Sequence, residues 1–517
     1  MSDEVLIVGA GPTGLILAIS LARQNIPFRI ISASSGPGEQ SRATVVHART
    51  LEFYRQFGFV NEVLGEVIRS DTIHLRERNG SGHSREIIRA ELGDLGHGLS
   101  PYPFLLTYPQ DLHERLLVRQ LAKFGREVEW NTRLERFTLD QQGVIALVQH
   151  ADSENEEARF AYICGCDGAH STVRSLLDVG FAGAAYDQPF YVADVELRDR
   201  ENTDLFINLG ERIVALMMPV RITGMHRLIG LVPPTLVEKP DLTFEDLREE
   251  VEELIGIRVA RVNWFSRYRV HHRVAERFRV ERAFLLGDAG HLHSPVGGQG
   301  MNTGIGDAIN LGWKLGAVLD GQAEPGLLES YEPERIRFAR SLVATTDRVF
   351  GPIISGGFAG EFTRRIVAPL VAIFATRFGM TRRLAFETLS QIRIEYRTSP
   401  LSAGKAGPVS GGDRLPWVAE EEDNYAALDG KHWQLQVFGR PAASVLAAAE
   451  AIGLSVKVFP WSSAAHKAGF CENAAYLVRP DGYIGLVLHK QDGEVLMTYC
   501  RNLGLRLRRA AGAAVAC

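Results

Sequence analysis

The sequence predicts an α/β fold organised around a buried parallel sheet, and three passages predict it. Val5-Leu6-Ile7-Val8 runs into Gly9-Ala10-Gly11-Pro12-Thr13-Gly14 and then into the apolar run Leu15 to Ala22. This is the order of strand, glycine turn and helix that a dinucleotide fold requires. Near the middle of the chain the same grammar returns. Phe284 to Leu286 suits a buried strand, Gly287-Asp288 ends it, and Pro295, Gly297, Gly298 and Gly300 lead into a helical period of Ile305, Ile309, Leu311, Leu315, Val318 and Leu319. Between them, Ile163-Cys164-Gly165-Cys166 ends in an Asp167-Gly168 turn followed by Ser171, a helix N-cap.

The remaining elements follow in order. After the first helix, Phe28 to Ile31 is the second strand, and helices are expected from Arg49 to Gln56 and from Asp111 to Lys123. From Tyr186 to Pro234 the pattern turns β-rich, as in the alternation Tyr191 to Leu197, and reads as a sheet inserted before the chain returns at Phe284. A helical stretch runs from Leu327 to about Glu395. The Gly/Pro/Ser-rich segment Pro400 to Gly412 reads as a boundary, and beyond it β runs mix with an Ala-rich helix, Ala442 to Ile452. The expected units are therefore 1–178 with 282–345, then 179–281, 346–399 and 413–517.

In the first motif, Gly9 permits the tight turn, Gly11 lets a pyrophosphate approach the backbone, and Gly14 lets helix pack on strand. The pyrophosphate rests on the helix N-terminus, where bare N–H groups and the helix dipole favour negative charge. One departure stands out. An acid normally ends the second strand roughly 20 residues on and accepts from the ribose hydroxyls, but here Ile31 runs into Ser32. A hydroxyl still hydrogen-bonds there, without charge assistance.

Taken together, Gly9 to Gly14, Asp167-Gly168 and Gly287-Asp288 resemble the three motifs of the single-component FAD-dependent aromatic hydroxylases, the phenol hydroxylase and pentachlorophenol monooxygenase branch. Gln40-Ser41-Arg42-Ala43, His47 to Glu52, Gln110 and Val478 to Ile484 extend the likeness over most of the chain. The resemblance implies a Rossmann-like FAD-binding domain with an inserted β-sheet substrate domain and a C-terminal thioredoxin-like domain. That last domain lacks C-x-x-C and is not expected to do redox work.

The same resemblance implies non-covalent FAD, NADPH or NADH as co-substrate, and oxygen insertion into a phenolic or polycyclic aromatic substrate through a C4a-hydroperoxyflavin. Gly9, Gly11, Gly14, Ser32, Arg42, Gln110, Asp167, Asp288, Gly298, Gly300, Met301 and Asn302 become the expected cofactor contacts. Arg42 would reach the pyrophosphate, Gln110 the flavin and Asp288 a ribityl hydroxyl, while Gly298 to Asn302 would offer N–H groups to the N1–C2=O edge. Pro295 would wall the oxygen-reacting face. His47 and Tyr268 are the candidates to accept or share the proton of a phenol, whose ionised form is the better nucleophile. The arginine-rich segment Arg258 to Arg282 is either a landing site for nicotinamide-nucleotide phosphates or a solvated face. Ring hydroxylation, Baeyer-Villiger oxygenation and a flavin-bearing protein without turnover all remain open, and a homodimer is allowed for.

Several classes are excluded. A formal net charge of −5 supplies no field for nucleic acid or an acidic membrane. The acidic start Met1-Ser2-Asp3-Glu4 is not a signal peptide, and the apolar run Ile366 to Ala375 is too short to span a bilayer. Five cysteines without a framework fit a reduced compartment, so the expected location is cytoplasmic. His291-x-His293 beside Asp288 lacks a fourth ligand, so no metal is expected. No nucleophile-elbow triad is present.

Overall fold

The computed structural model describes residues 3–38, 44–78, 84–91, 96–151, 155–186, 188–198, 204–210, 213–220, 224–293, 298–354, 379–418 and 423–507. Its first sheet has the order Arg279–Val280, Ala283–Leu285, Tyr162–Gly165, Val5–Val8, Phe28–Ile31. The last four strands are parallel, with Val5 opposite both Tyr162 and Phe28. These strands read as unbroken apolar runs because they are buried on both faces, packed against helix Pro12–Arg23 and against the three-stranded sheet of Thr132–Asp140, Gly143–His150 and Glu156–Phe160, leaving no solvent side to alternate with.

Helix Pro12–Arg23 follows the first strand and helix Gln299–Leu319, the loop helix, follows the second glycine passage. The two cross at close range. A Cβ at Gly304, Gly312 or Gly316 would stand 2.3 Å from Thr13 Oγ1, 2.5 Å from Ser20 Oγ and 2.0 Å from Gln24 Oε1 respectively. Glycine every fourth residue, or its multiple, thus gives the loop helix a bare face for the first helix.

The inserted sheet is larger than the sequence pattern shows. Its order is Val259–Tyr268, Phe190–Leu197, Met225–Leu231, Val214–Pro219, Leu205–Leu209, Thr72–Arg78, Ser84–Glu91. The last two strands come from the first unit and read as solvated, yet Thr72–Arg78 pairs in parallel with Leu205–Leu209. One face packs Tyr191, Ala193, Val195 and Leu228 against Val251 and Leu254 of helix Arg248–Ile255. On the other face Leu205 and Met218 meet Val45 and Leu105. The alternation at Tyr191 to Leu197 therefore sorts two covered faces, and buried Asp194 pairs with buried Arg227.

Helices Ala48–Phe57, Gln110–Ala122 and Ala443–Ala451 match the expected ones to within a residue or two. The helical stretch after Leu327 is seen as Tyr331–Ile354 and Gly379–Leu389. The last unit has the sheet order Ser455–Phe459, Gln434–Phe438, Ala474–Val478, Ile484–Leu488, of which only the first pair is parallel. The segment expected as a boundary is stitched to it. Ala403 N–H donates to Gly485 O at 2.8 Å and Gly412 N–H to Ile484 O at 2.6 Å, so its glycines and prolines shape a bound edge.

A fully buried ionic cluster joins this unit to the two long helices. Glu334 accepts from Arg479 Nη1 and Nη2 at 2.7 and 2.9 Å, from Lys314 Nζ at 2.8 Å, from Asn310 at 2.7 Å and from Ser399 at 2.5 Å. Arg479 also binds Asp481, which accepts from Trp313 Nε1 at 3.1 Å. Burial pushes the Lys314 ammonium down to about 8 against the pull of Glu334. Burial alone would raise Glu334, but the Arg479 and Lys314 charges outweigh it and hold the carboxyl well below its ordinary value.

Removing one partner of such a cluster leaves buried charge uncompensated. Glu334→Gln should cost about 3–5 kcal/mol, read as a lowered unfolding midpoint in urea. Because the folded value is depressed, the unfolded chain binds more protons in acid. The carboxylate's contribution is fully present above the ordinary 4.5 and is lost as pH falls. The acid limb of a stability–pH curve should be shallower in the variant than in the parent.

Candidate active site

The first strand delivers Gly9, whose N–H donates to Ile31 O at 2.8 Å and whose φ of +105° suits glycine. A Cβ there would stand 2.3 Å from Cys166 O, and one at Gly14 would stand 1.9 Å from Gly9 O. Gly11, in contrast, faces open space, with nothing within 4 Å of the place where its Cβ would be. Gly11 is also the N-cap of the first helix, no side chain caps it, and Pro12 has no N–H to offer. The uncapped N–H groups behind Gly11 therefore open onto space where a pyrophosphate is favoured by charge. Ser32 lies beside Gly9 at the end of Phe28–Ile31, where its hydroxyl shares a 2.8 Å hydrogen bond with Ser34 Oγ. Arg42 lies outside the described residues.

The Asp167-Gly168 turn follows Tyr162–Gly165. The Asp167 carboxylate accepts from Ser171 Oγ at 2.5 Å and from the N–H groups of Thr172 and Val173 at 2.7 and 3.2 Å. Burial pushes it up and these bonds pull it down, leaving it raised overall. Its part is to shape the turn. Ser171 caps the short helix Thr172–Leu176, as the sequence predicts, by accepting from Arg174 N–H at 3.0 Å. Arg174, unforeseen, spans two loops by donating to Ala169 O at 2.8 Å and Ala289 O at 2.9 Å.

Gly287-Asp288 stands beside both. Leu286 N–H donates to Gly165 O at 3.0 Å, and Thr13 Oγ1 fills the space beside Gly287 that it fills beside Gly304. Asp288 is exposed although Gly287, Ala289 and Gly290 are buried, so its side chain is aimed outward from a packed turn. Pro295 lies outside the described residues. Gly298 begins the loop helix in the left-handed conformation, with φ +63°, and a Cβ there would stand 2.6 Å from Val45 Cβ. No side chain caps it, so the N–H groups of Gln299, Gly300 and Met301 have no acceptor within the helix.

Asn302 also serves this loop through its side chain. Its Oδ1 accepts from His47 N–H at 3.0 Å and Thr50 Oγ1 at 2.7 Å, and its Nδ2 donates to Val45 O at 2.9 Å and Gly298 O at 2.8 Å. That uses all four of its hydrogen-bonding positions. His47 is thereby brought against the glycine loop, 2% exposed, as N-cap residue of Ala48–Phe57. Gln110 donates to Glu114 at 2.8 Å, and Glu114 also accepts from Gly38 N–H at 2.7 Å, on the side of the cavity where Ser32 begins its loop.

Tyr268 is in a different place from His47. It stacks on Phe190 at 5.9 Å beside Leu231 and Val270. Burial pushes its phenol up to about 12, with Arg227 pulling the other way. The apolar surface nearest the glycine loop is Val45, Leu105, Leu205 and Met218, with half-buried Ile207, Leu216, Ile229 and Leu389 packed on it. Sequence reasoning missed Asp307, whose buried carboxylate binds His291 Nε2 at 2.7 Å and Arg335 Nε at 2.6 Å. A charge within an apolar helical period was the available signal. Among the described residues no group of three or more His, Cys, Asp or Glu side chains is placed to hold a metal ion.

The cradle around Gly9, Gly11 and Gly14, the uncapped loop helix and the outward Asp288 fit an FAD. Comparison with known proteins agrees. An FAD binding domain model matches residues 2–346. The 6-methylpretetramide 4-monooxygenase of Streptomyces rimosus is 30% identical over 93% of this chain and 90% of its own length. The pentachlorophenol 4-monooxygenase of Sphingobium chlorophenolicum is 30% identical over 80% and 75%. Among solved structures, the anhydrotetracycline hydroxylase from Streptomyces rimosus has a TM-score of 0.74 at 28% identity, covering 98% of this chain and 99% of that one. An aklavinone-11 hydroxylase complexed with FAD and aklavinone has a TM-score of 0.78 at 25% identity, covering 97% and 99%. The chain belongs to the FAD-binding-domain family and is a flavin-dependent monooxygenase.

Proposed function

We propose that the protein hydroxylates a phenolic or polycyclic aromatic substrate, using non-covalent FAD and NADPH or NADH. The observation that carries this reading is a pair of uncapped helix N-termini, at Gly11 and Gly298, on helices that meet where Thr13 contacts Gly304, the second of them beside an apolar sheet face at Val45. The relatives' substrates, a pretetramide and a chlorinated phenol among them, support the aromatic class. Bound flavin supplies activation of molecular oxygen.

The chain's own residues do the rest. N–H groups of the first helix hold the pyrophosphate, Gln110 and Asp288 hold polar parts of the cofactor, and Asp288 accepts from the ribityl chain. The N–H groups of Gly300 and Met301 stabilise negative charge at the ring's pyrimidine edge. Leu216, Met218 and Ile229 keep water from the reacting face, where Pro295 is the expected wall. His47, tied to the loop helix through Asn302, is the residue assigned to accept or share the phenol proton. Tyr268, with its phenol near 12, stays protonated at neutral pH and acts as a hydrogen-bond donor to the substrate.

Within this reading residues 1–178 with 282–345 form the Rossmann-like FAD-binding domain, and 179–281, joined by strands Thr72–Arg78 and Ser84–Glu91, form the substrate-side sheet. The β-α-β-α-β-β-α order from Gln434 to Asn502 supports a thioredoxin-like unit. Free Cys164, Cys166, Cys471 and Cys500 fit a cytoplasmic enzyme, and no helix among the described residues is long and apolar enough to cross a membrane.

Purified protein should be yellow and release FAD on denaturation, and its NAD(P)H consumption should be stimulated by a phenol or polycyclic phenol. Product formed under labelled oxygen should gain one labelled atom as a hydroxyl. An inserted ester oxygen would assign Baeyer-Villiger chemistry instead, and unstimulated consumption across the panel would reject the substrate class. At the adenosine end, Ser32→Glu should tighten FAD binding by ~1 kcal/mol without changing turnover. Calorimetric titration of the apoprotein checks it; equal affinity would mean that the Ser32–Ser34 bond marks a solvated turn away from the ribose.

A further inference from the structure

One buried carboxylate ties the turn from Gly287 to His291 to the helix Tyr331–Ile354. Asp307, 0% exposed, lies beyond the first two turns of the loop helix. Its Oδ2 accepts from Gly287 N–H at 2.9 Å and from His291 Nε2 at 2.7 Å, and its Oδ1 from Arg335 Nε at 2.6 Å. Arg335 continues outward, donating to Thr303 O at 3.1 Å and to Tyr396 Oη at 2.8 Å. Burial by itself would raise the Asp307 carboxyl; the Arg335 guanidinium, together with the bonds from His291 and Gly287, outweighs it and holds it below its ordinary value, so it is ionised and only accepts.

The bond to Gly287 is the consequential one. Gly287 is the residue before Asp288, and its N–H direction sets the plane of the peptide from which the turn departs. Thr13 blocks one side of Gly287, Leu286 is bonded to Gly165, and Gly290 N–H closes the turn on Gly287 O at 2.8 Å. Asp307 supplies the remaining constraint from below. A neutral His291 that donates from Nε2 must carry its proton there, so the same carboxylate also fixes that imidazole's tautomer.

We propose that Asp307 is a positioning residue for the cofactor, holding the Gly287–Asp288 turn in the one arrangement in which Asp288 meets the ribityl chain; this rests on the assignment of Asp288 made above. Asp307 touches neither cofactor nor substrate, and its effect passes through Asp288. An isosteric Asp307→Asn keeps one acceptor oxygen for three donors, so at least one of the Gly287, His291 and Arg335 bonds is lost.

A double-mutant cycle in FAD affinity tests this, with apoproteins of the parent, Asp288→Ala, Asp307→Asn and the double variant titrated with FAD. Each single change is expected to raise the dissociation constant by roughly tenfold, the scale of one lost hydrogen bond to a charged group. The double variant should be no worse than the weaker single one, because the Asp307 effect has no route once the Asp288 carboxylate is gone. Multiplied effects, or unchanged affinity in Asp307→Asn, overturn the inference alone. Unchanged affinity in Asp288→Ala overturns the Asp288 assignment and the inference with it. Should Asp307→Asn fail to fold, Asp307→Asn with Arg335→Gln, which leaves no unpaired buried charge, goes through the same cycle and is judged by the same outcomes.

Discussion

The close crossing of helix Pro12–Arg23 with helix Gln299–Leu319 is the constraint on which the rest of the groove depends. Each helix begins at a glycine with no capping side chain, so the first N–H groups of each have no acceptor within the helix. For one ligand to use both ends, the helices must lie against one another at their N-terminal turns. Thr13 makes that contact, with its hydroxyl between Gly287 and Gly304 where either Cβ would collide with it. Farther along, Gly312 over Ser20 and Gly316 over Gln24 hold the approach, and Gln24 Nε2 donates to Gly312 O at 3.1 Å. An alanine at any of these positions adds one methyl group to a contact that has no room for it.

Holding two helix ends open beside a cavity costs stability, because those N–H groups gain nothing in the absence of a ligand. The far end of the loop helix is anchored in the C-terminal unit. Asn310, Trp313 and Lys314 of the loop helix and Glu334 of the next one are tied to Arg479 and Asp481 of the C-terminal unit. A parallel set, Arg49 and Arg414 on Glu52 with Ser100, ties Ala48–Phe57 to the same unit. Such clusters contribute little net stability relative to apolar packing. They do penalise any misalignment, since a displaced partner leaves a buried charge unpaired. The C-terminal unit, with no redox motif, thus earns its place by fixing the register of the helices that build the groove.

Legibility in the sequence followed the range of the physical cause. Gly9, Gly14, Gly287 and Gly298 were readable because backbone conformation or close approach forces the residue type locally. The Ser171 cap was readable for the same reason. Asp167 was visible as a turn residue, but its bond from Thr172 N–H is set by three-dimensional placement. Asp307, Arg335 and Arg174 carry no local mark of their role, because decisive partners lie far away along the chain. Strands Thr72–Arg78 and Ser84–Glu91 were hidden likewise. Their charged residues look solvated until the parallel pairing to Leu205–Leu209 is known, a pairing no local pattern encodes.

The two proton-handling candidates show the same division at the level of chemistry. Sequence placed His47 and Tyr268 together as groups able to share a phenol's proton. In the fold they belong to different clusters: His47 to the glycine loop through Asn302, Tyr268 to the far end of the sheet with Phe190. Burial, which acts against a phenolate more strongly than Arg227 acts for it, leaves Tyr268 unable to take a proton near neutral pH. The two side chains therefore differ in the hydrogen-bond role each can offer as well as in their place in the fold.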